Sequence, residues 1–152
     1  MSFLSSLDIN GSALTAQRLR LDAISENIAN MQTTRTESGD PYRRKTVVFE
    51  EINEGSFRSA LLKAKGRGSA YGLGPGESGV RVAEVIEDES PFKVVYDPSH
   101  PDADAQGYVR MPNVDLLQET VDAMSASRSY EANVMAINAI KQMAAKALEV
   151  GK

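Results

Sequence analysis

The chain of 152 residues has no cysteine, no tryptophan and a single histidine, and aromatic residues make up only 6% of it. Without cysteine there is no disulfide framework, no thiolate zinc site and no thiol nucleophile. His100 has neither a second imidazole nor a thiol beside which to ligate a metal, and reads as a loop residue. No run approaches the ~20 apolar residues that span a bilayer. The first fourteen residues, Met1 to Leu14, lack a basic start and a long apolar core, so no cleavable Sec signal is expected. A net charge of −4 argues against a general binder of nucleic acid or of anionic membrane.

Glycine and proline are present but unevenly spread. Seven of the eleven glycines fall between Glu54 and Val80, while Asn113 to Val150 holds neither glycine nor proline. That last stretch carries Leu117, Val121, Met124, Tyr130, Val134, Ile137, Ala144 and Leu148 at mostly three- and four-residue steps. Near the other end, Leu7, Leu14, Leu21 and Ile28 recur every seven residues, with Ile24 and Met31 filling the intermediate turn. Both patterns predict helices with an apolar face that another helix must cover.

The first helix is expected over about residues 12–32, with an extension towards Ser2 kinked or frayed at Gly11, which costs about 1 kcal/mol against alanine. Thr33 to Thr36, then Gly39-Asp40-Pro41, end it. Val47-Val48-Phe49 with Ile52 predicts a short strand, and the glycine-rich run 66–79 a flexible loop. Val80 to Ile86 and Phe92 to Tyr96 are expected to pair as a hairpin, with Tyr108-Val109-Arg110 as a third short strand. Pro112 stops that strand, and Asn113 is the expected N-cap of the last helix.

The predicted fold is therefore α+β and mainly α. Long terminal helices pair as an antiparallel coiled coil, with a small antiparallel β region and a flexible glycine-rich loop between them. Residues 1–36 and 112–152 form the two helical parts, and 37–111 the β and loop region, with 53–79 flexible.

The candidate chemistry is thin. Gly74-Pro75-Gly76-Glu77-Ser78-Gly79 spells the dinucleotide fingerprint, but lacks the strand before it and the helix after it. Asp102, Asp104 and Gly107 imitate the start of a calcium loop, yet Asn113 stands where the bidentate glutamate belongs. Ser90 and Lys93 match a Ser-x-x-Lys pair without its partner motifs. No catalytic constellation, cofactor site or metal site emerges.

Length points elsewhere. Residues 114–149 make a helix of about 54 Å and residues 12–32 one of about 31 Å, so a hairpin leaves about 20 Å of the longer stripe uncovered unless the first helix reaches Ser2. The surplus apolar surface reads as an assembly interface formed by Leu7, Leu14, Leu21, Ile24, Ile28, Met31, Leu117, Val121, Met124, Tyr130, Val134, Ile137 and Leu148. Charge is uneven, with a net +4 from Arg43 to Arg67 and −6 from Glu77 to Asp104, which reads first as two solvated faces of one small region and, more sharply, as complementary contacts between subunits. The rival reading is a soluble domain that binds a cation with the acidic segment 84–104.

Particular motifs favour assembly. Ser25-Glu26-Asn27-Ile28-Ala29-Asn30, followed by Thr33-Thr34-Arg35-Thr36, resembles the N-terminal signature of bacterial flagellar rod and hook proteins. With Asp40-Pro41-Tyr42-Arg43-Arg44 after it, the pattern is similar to the proximal-rod branch. The C-terminal half agrees through Pro98, His100-Pro101, Ala103-Asp104, Gly107-Tyr108-Val109, Pro112-Asn113-Val114, and Arg128 with Tyr130-Glu131-Ala132-Asn133. Within these segments the motif residues are Asn27, Ile28, Ala29, Asn30, Thr33, Tyr130, Glu131 and Asn133. Two departures stand out: Thr34-Arg35 replaces a glycine–aromatic pair, and Gln118-Glu119-Thr120 replaces a more hydrophobic segment.

The resemblance implies a non-enzymatic structural subunit without cofactors, exported by the flagellar type III apparatus and built into the rod in the periplasm. It implies FlgB, FlgF, FlgG and the FliE adaptor as neighbours, together with self-association. Another flagellar axial component or an export adaptor is the closest alternative within the same class.

Overall fold

The computed structural model describes residues 3–52 and 79–150. The predicted flexible stretch 53–79 and the G-x-G-x-x-G motif lie outside the described residues, apart from Gly79. Among the described residues the elements are helix α1 (Phe3–Ala29), strands β1 (Lys45–Glu51), β2 (Val80–Glu87), β3 (Lys93–Tyr96) and β4 (Tyr108–Met111), and helix α2 (Leu116–Val150).

Helix α1 starts nine residues before the expected Ser12 and passes through Gly11 without a break. Polar side chains in this stretch bond back onto the helix instead of competing with it: Asn10 donates to the Ser6 carbonyl at 2.6 Å and Ser12 to the Ile9 carbonyl at 2.8 Å. The helix ends at Ala29, three residues before the expected Gln32. There Met31 N–H bonds to the Ile28 carbonyl at 3.4 Å and Thr33 N–H to that of Asn30 at 3.0 Å, tightening the last turn. The chain then reverses in a loop closed from Tyr42 N–H to the Thr33 carbonyl at 3.1 Å, with Gly39 at φ +88° supplying the left-handed turn.

The expected hairpin between Val80–Ile86 and Phe92–Tyr96 does not form. Strand β2 pairs antiparallel with β1, Lys45 opposite Glu87 and Glu51 opposite Val80, with a register break between Val48 and Phe49. Strand β3 pairs with β4, Lys93 opposite Met111 and Tyr96 opposite Tyr108. The link between β2 and β3 is held open because Asn113 donates to the Asp88 carbonyl at 3.0 Å and to that of Ser90 at 3.4 Å.

That role removes Asn113 from the helix cap. Asp115 is the N-cap of α2: its carboxylate accepts Leu117 N–H and its carbonyl accepts Glu119 N–H, both at 2.9 Å. The two helices pack in opposite senses, Asn27 meeting Glu119 and Arg20 meeting Asp122. Among the described residues the buried apolar side chains are few and mostly small: Ala16, Ala23, Ile24, Tyr42, Val109, Val114 and Ala126.

Candidate functional site

Among the described residues, a buried cluster of polar side chains lies where the C-terminal end of α1 crosses the start of α2. Asn27 is fully buried there and uses its whole amide. Its oxygen accepts the Tyr42 hydroxyl at 2.9 Å and Lys45 N–H at 2.8 Å. Its nitrogen donates to the Lys45 carbonyl at 2.9 Å and to Glu119 Oε2 at 3.0 Å. Two donors and two acceptor sites are all that an asparagine side chain has, so no leucine or serine can replace it without stranding a partner.

Glu119 is equally buried, and its second oxygen accepts Arg44 Nε at 2.6 Å. Arg44 spreads to Asp122 at 3.3 Å and Asp88 at 3.9 Å, and its backbone N–H bonds to the Asn113 side chain at 2.9 Å. Arg20 of α1 reaches the other Asp122 oxygen at 3.5 Å. A buried carboxylate is tolerable only when paired and hydrogen-bonded, and here it is both.

The surroundings act on nearby groups. Burial, reinforced by Glu26, Glu119 and Glu87, pushes the Tyr42 hydroxyl up to about 12. The Asp88 carboxyl is lowered chiefly by the Ser90 hydroxyl and Ser90 N–H, against an opposing effect of burial, with Arg44 and Arg43 adding smaller contributions.

An open cleft of about 290 Å³ beside this junction is lined by Arg20, Ile24, Arg44, Val47, Phe49 and Asp122, among others. Its two guanidinium groups already face Asp122, and no nucleophile–base pair lies along it. The carboxylates of the 97–104 turn are spent locally: Asp97 accepts Ser99, Asp102 accepts Thr34, and Asp104 accepts Gln106 and Tyr108 N–H. His100 Nδ1 accepts Asp102 N–H at 3.1 Å.

The apolar stripes divide into two faces. On α1, Ile24 is buried, while Leu7, Leu14, Leu21 and Ile28 are half-buried, as is Met31 just past the helix end. On α2 the side towards α1 carries Glu119, Ala126, Val134, Ile137, Ile140 and Ala144, buried or half-buried. Leu117, Val121 and Met124 face away, 75%, 54% and 53% exposed. Met135, absent from the expected stripe, joins them at 65% exposed. It follows Leu117 by eighteen residues, five full helical turns, and that spacing is the signal that finds it. Tyr130 and Leu148 fall on the α1 side of the helical wheel yet remain exposed, Leu148 at 76% because α2 outruns its partner.

The motif residues also separate. Asn27, Asn30 and Thr33 cluster at the end of α1, where Asn30 Oδ1 accepts the Thr33 hydroxyl at 3.2 Å; Ile28 is half-buried and Ala29 exposed beside them. Tyr130, Glu131 and Asn133 lie more than ten residues along α2 from Glu119 and do not reach the junction; Asn133 donates to its own helix at the Ser129 carbonyl.

Comparison with known proteins matches these same helices. Residues 7–35 fit the family model described as flagella basal body rod protein, and residues 105–150 the one described as flagellar basal body rod FlgEFG protein C-terminal. The flagellar basal-body rod protein FlgC of Bacillus subtilis is 51% identical over the full length of both chains. That of Escherichia coli O157:H7 is 46% identical, again over both full lengths. The one from Aquifex aeolicus is 35% identical across this whole chain and 99% of its relative. The chain belongs to the FlgC family of flagellar basal-body rod proteins. As a FlgC-family member it is a structural subunit of the basal-body rod. Tyr42, Arg44 and Glu119, which sequence reasoning left without a role, are what join its two family-defining ends.

Proposed function

We propose that this FlgC-family chain is a subunit of the proximal rod and helps form the torque-transmitting drive shaft. Helices α1 and α2 pair as an antiparallel coiled coil that is completed only by neighbouring subunits. Residues 1–36 and 112–152 form the axial part, and 37–111 form an outer part. The neighbours are further copies of the chain together with FlgB, FlgF, FlgG and the FliE adaptor. The chain reaches the periplasm through the flagellar type III apparatus. It catalyses nothing and carries no cofactor.

One observation carries this reading: the row Leu117, Val121, Met124 and Met135, which α1 leaves uncovered. Fully burying a Val, Leu or Met side chain is worth about 1.5–3 kcal/mol, so four such residues give a neighbouring subunit several kcal/mol of contact. Folding and assembly are then linked by mass action.

The test is Val121→Asp. An aspartate on an already exposed position leaves the stability of the isolated chain within about 0.5 kcal/mol. Loss of motility in complemented cells, and loss of the chain from isolated basal bodies, are the expected results. Normal motility would show that this face is not an interface.

A further inference from the structure

The β1–β2 sheet lies along α1 and is fastened to it at both ends. At one end Asn27 holds the backbone of Lys45 by both its N–H and its carbonyl. At the other, Ser12 Oγ accepts Val80 N–H at 3.1 Å while donating to the Ile9 carbonyl at 2.8 Å. Ile52 N–H bonds to the Gly79 carbonyl at 2.8 Å, closing the same end of the sheet. The fifteen-residue step from Ser12 to Asn27 is about 22 Å of helix, and the six steps from Lys45 to Glu51 are about 20 Å of strand. The two spans are close, so one strand reaches both attachments.

Gly79 makes the second attachment possible. A Cβ built there would stand 2.5 Å from Ser12 Oγ, 3.2 Å from Ser12 Cβ and 3.3 Å from the end of Ile52. The backbone beside the sheet therefore rests directly against the side chain of α1, and a Cβ at position 79 would force Ser12 Oγ away from its bond to Val80 N–H.

We propose that Ser12 and Gly79 are positioning residues, whose contact fixes the direction of the β1–β2 sheet against the helix pair, and that this direction is required for assembly. The consequence for assembly rests on the rod-subunit reading above. A subunit packed on several sides has to present its outer part at one angle, and a sheet pinned at Asn27 alone swings about that point. The Ser12–Gly79 contact removes the swing.

The chain has no natural cysteine, so Arg18→Cys and Glu84→Cys, both at exposed positions, place two spin labels without background. In the full-length purified chain a single narrow distance distribution is expected between them. Gly79→Ala broadens it and abolishes motility in unlabelled cells, while the thermal midpoint shows that the variant folds. Ser12→Ala, which removes the acceptor without a clash, broadens it less. The exchange Ser12→Gly with Gly79→Ala clears the collision and narrows the distribution again relative to Gly79→Ala, with partial return of motility.

A broad distribution in the unmodified chain overturns the proposal, as does Gly79→Ala with unchanged distances. Broadened distances with normal motility refute the link to assembly while leaving the rod-subunit reading intact. Absence of the unmodified chain from isolated basal bodies refutes that reading itself.

Discussion

The two ends of the helical hairpin are built on different physics. Where α1 ends and α2 begins, Ala16, Ala23, Ile24 and Asn27 on one helix and Glu119 and Ala126 on the other are buried. At the opposite end, among the described residues, nothing from 3 to 15 or from 127 to 149 is buried. The first end is closed by Asn27, whose two donors and two acceptor sites are all used within the chain, and by Glu119 paired to Arg44. The second is lined by apolar groups with surface to spare. Hydrogen bonds are directional and costly to leave unmade, so they suit a junction that has to form alone. Apolar burial is non-directional and scales with area, so it suits surfaces finished by a neighbour. The difference teaches that the junction folds by itself, while apolar surface is left over on the outward face of α2 and along the open end of the pair.

The sharpest way to break this contrast is Asn27→Leu. It keeps the bulk but strands the Tyr42 hydroxyl, Lys45 N–H and one Glu119 oxygen in a buried site, at a cost of about 3–5 kcal/mol. Urea unfolding of the isolated chain would register that loss directly. Val121→Asp, by contrast, leaves the same curve almost unmoved while removing assembly. If the two variants destabilised the isolated chain equally, the division of labour proposed here would collapse.

A milder probe of the junction is pH. The Tyr42 hydroxyl is raised from 10.0 to about 12 in the folded chain. Between those values the unfolded chain gives up this proton first, so stability falls as pH rises. The contribution is complete below about pH 10 and is lost near pH 12. Tyr42→Phe should flatten this alkaline decline and cost about 1 kcal/mol at neutral pH, the net worth of one hydrogen bond. An unchanged alkaline profile in Tyr42→Phe would mean that another group governs that range.

The same contrast explains what could be read from sequence. Helices and strands were legible because their periods are local: the heptads from Leu7 to Ile28 and the glycine-free run after Asn113 needed no partner to be recognised. Strand pairing was not, since β2 finds its partner in β1, some thirty residues back, whereas the nearest neighbour in sequence is β3. The junction was invisible for a different reason. Gln118-Glu119-Thr120 has the composition of an exposed turn of helix, and nothing local says that Glu119 is buried opposite Arg44. Asn113 looked like a cap because it has a capping side chain, but Asp115 took that place and Asn113 became a brace between segments. In sequence the stripe of α2 reads as one surface, and only the packing of small Ala126 against α1 decides that Leu117 and Val121 look outward.

The smallest predicted effect tests the open end of the hairpin. Gly11 is helical, and a Cβ added to it meets nothing within 4 Å. Alanine there should stabilise α1 by about 0.8–1 kcal/mol, because it loses less backbone freedom than glycine and makes no clash. If the two ends of the hairpin differ in stability as their burial does, that gain stays local. Amide hydrogen exchange should slow about four- to fivefold between Leu7 and Thr15 and stay unchanged between Ala23 and Ile28, because the open end unfolds without the junction. Equal slowing in both segments would instead mean that α1 opens as one unit, and the separation between a self-sufficient junction and an unfinished end would be lost.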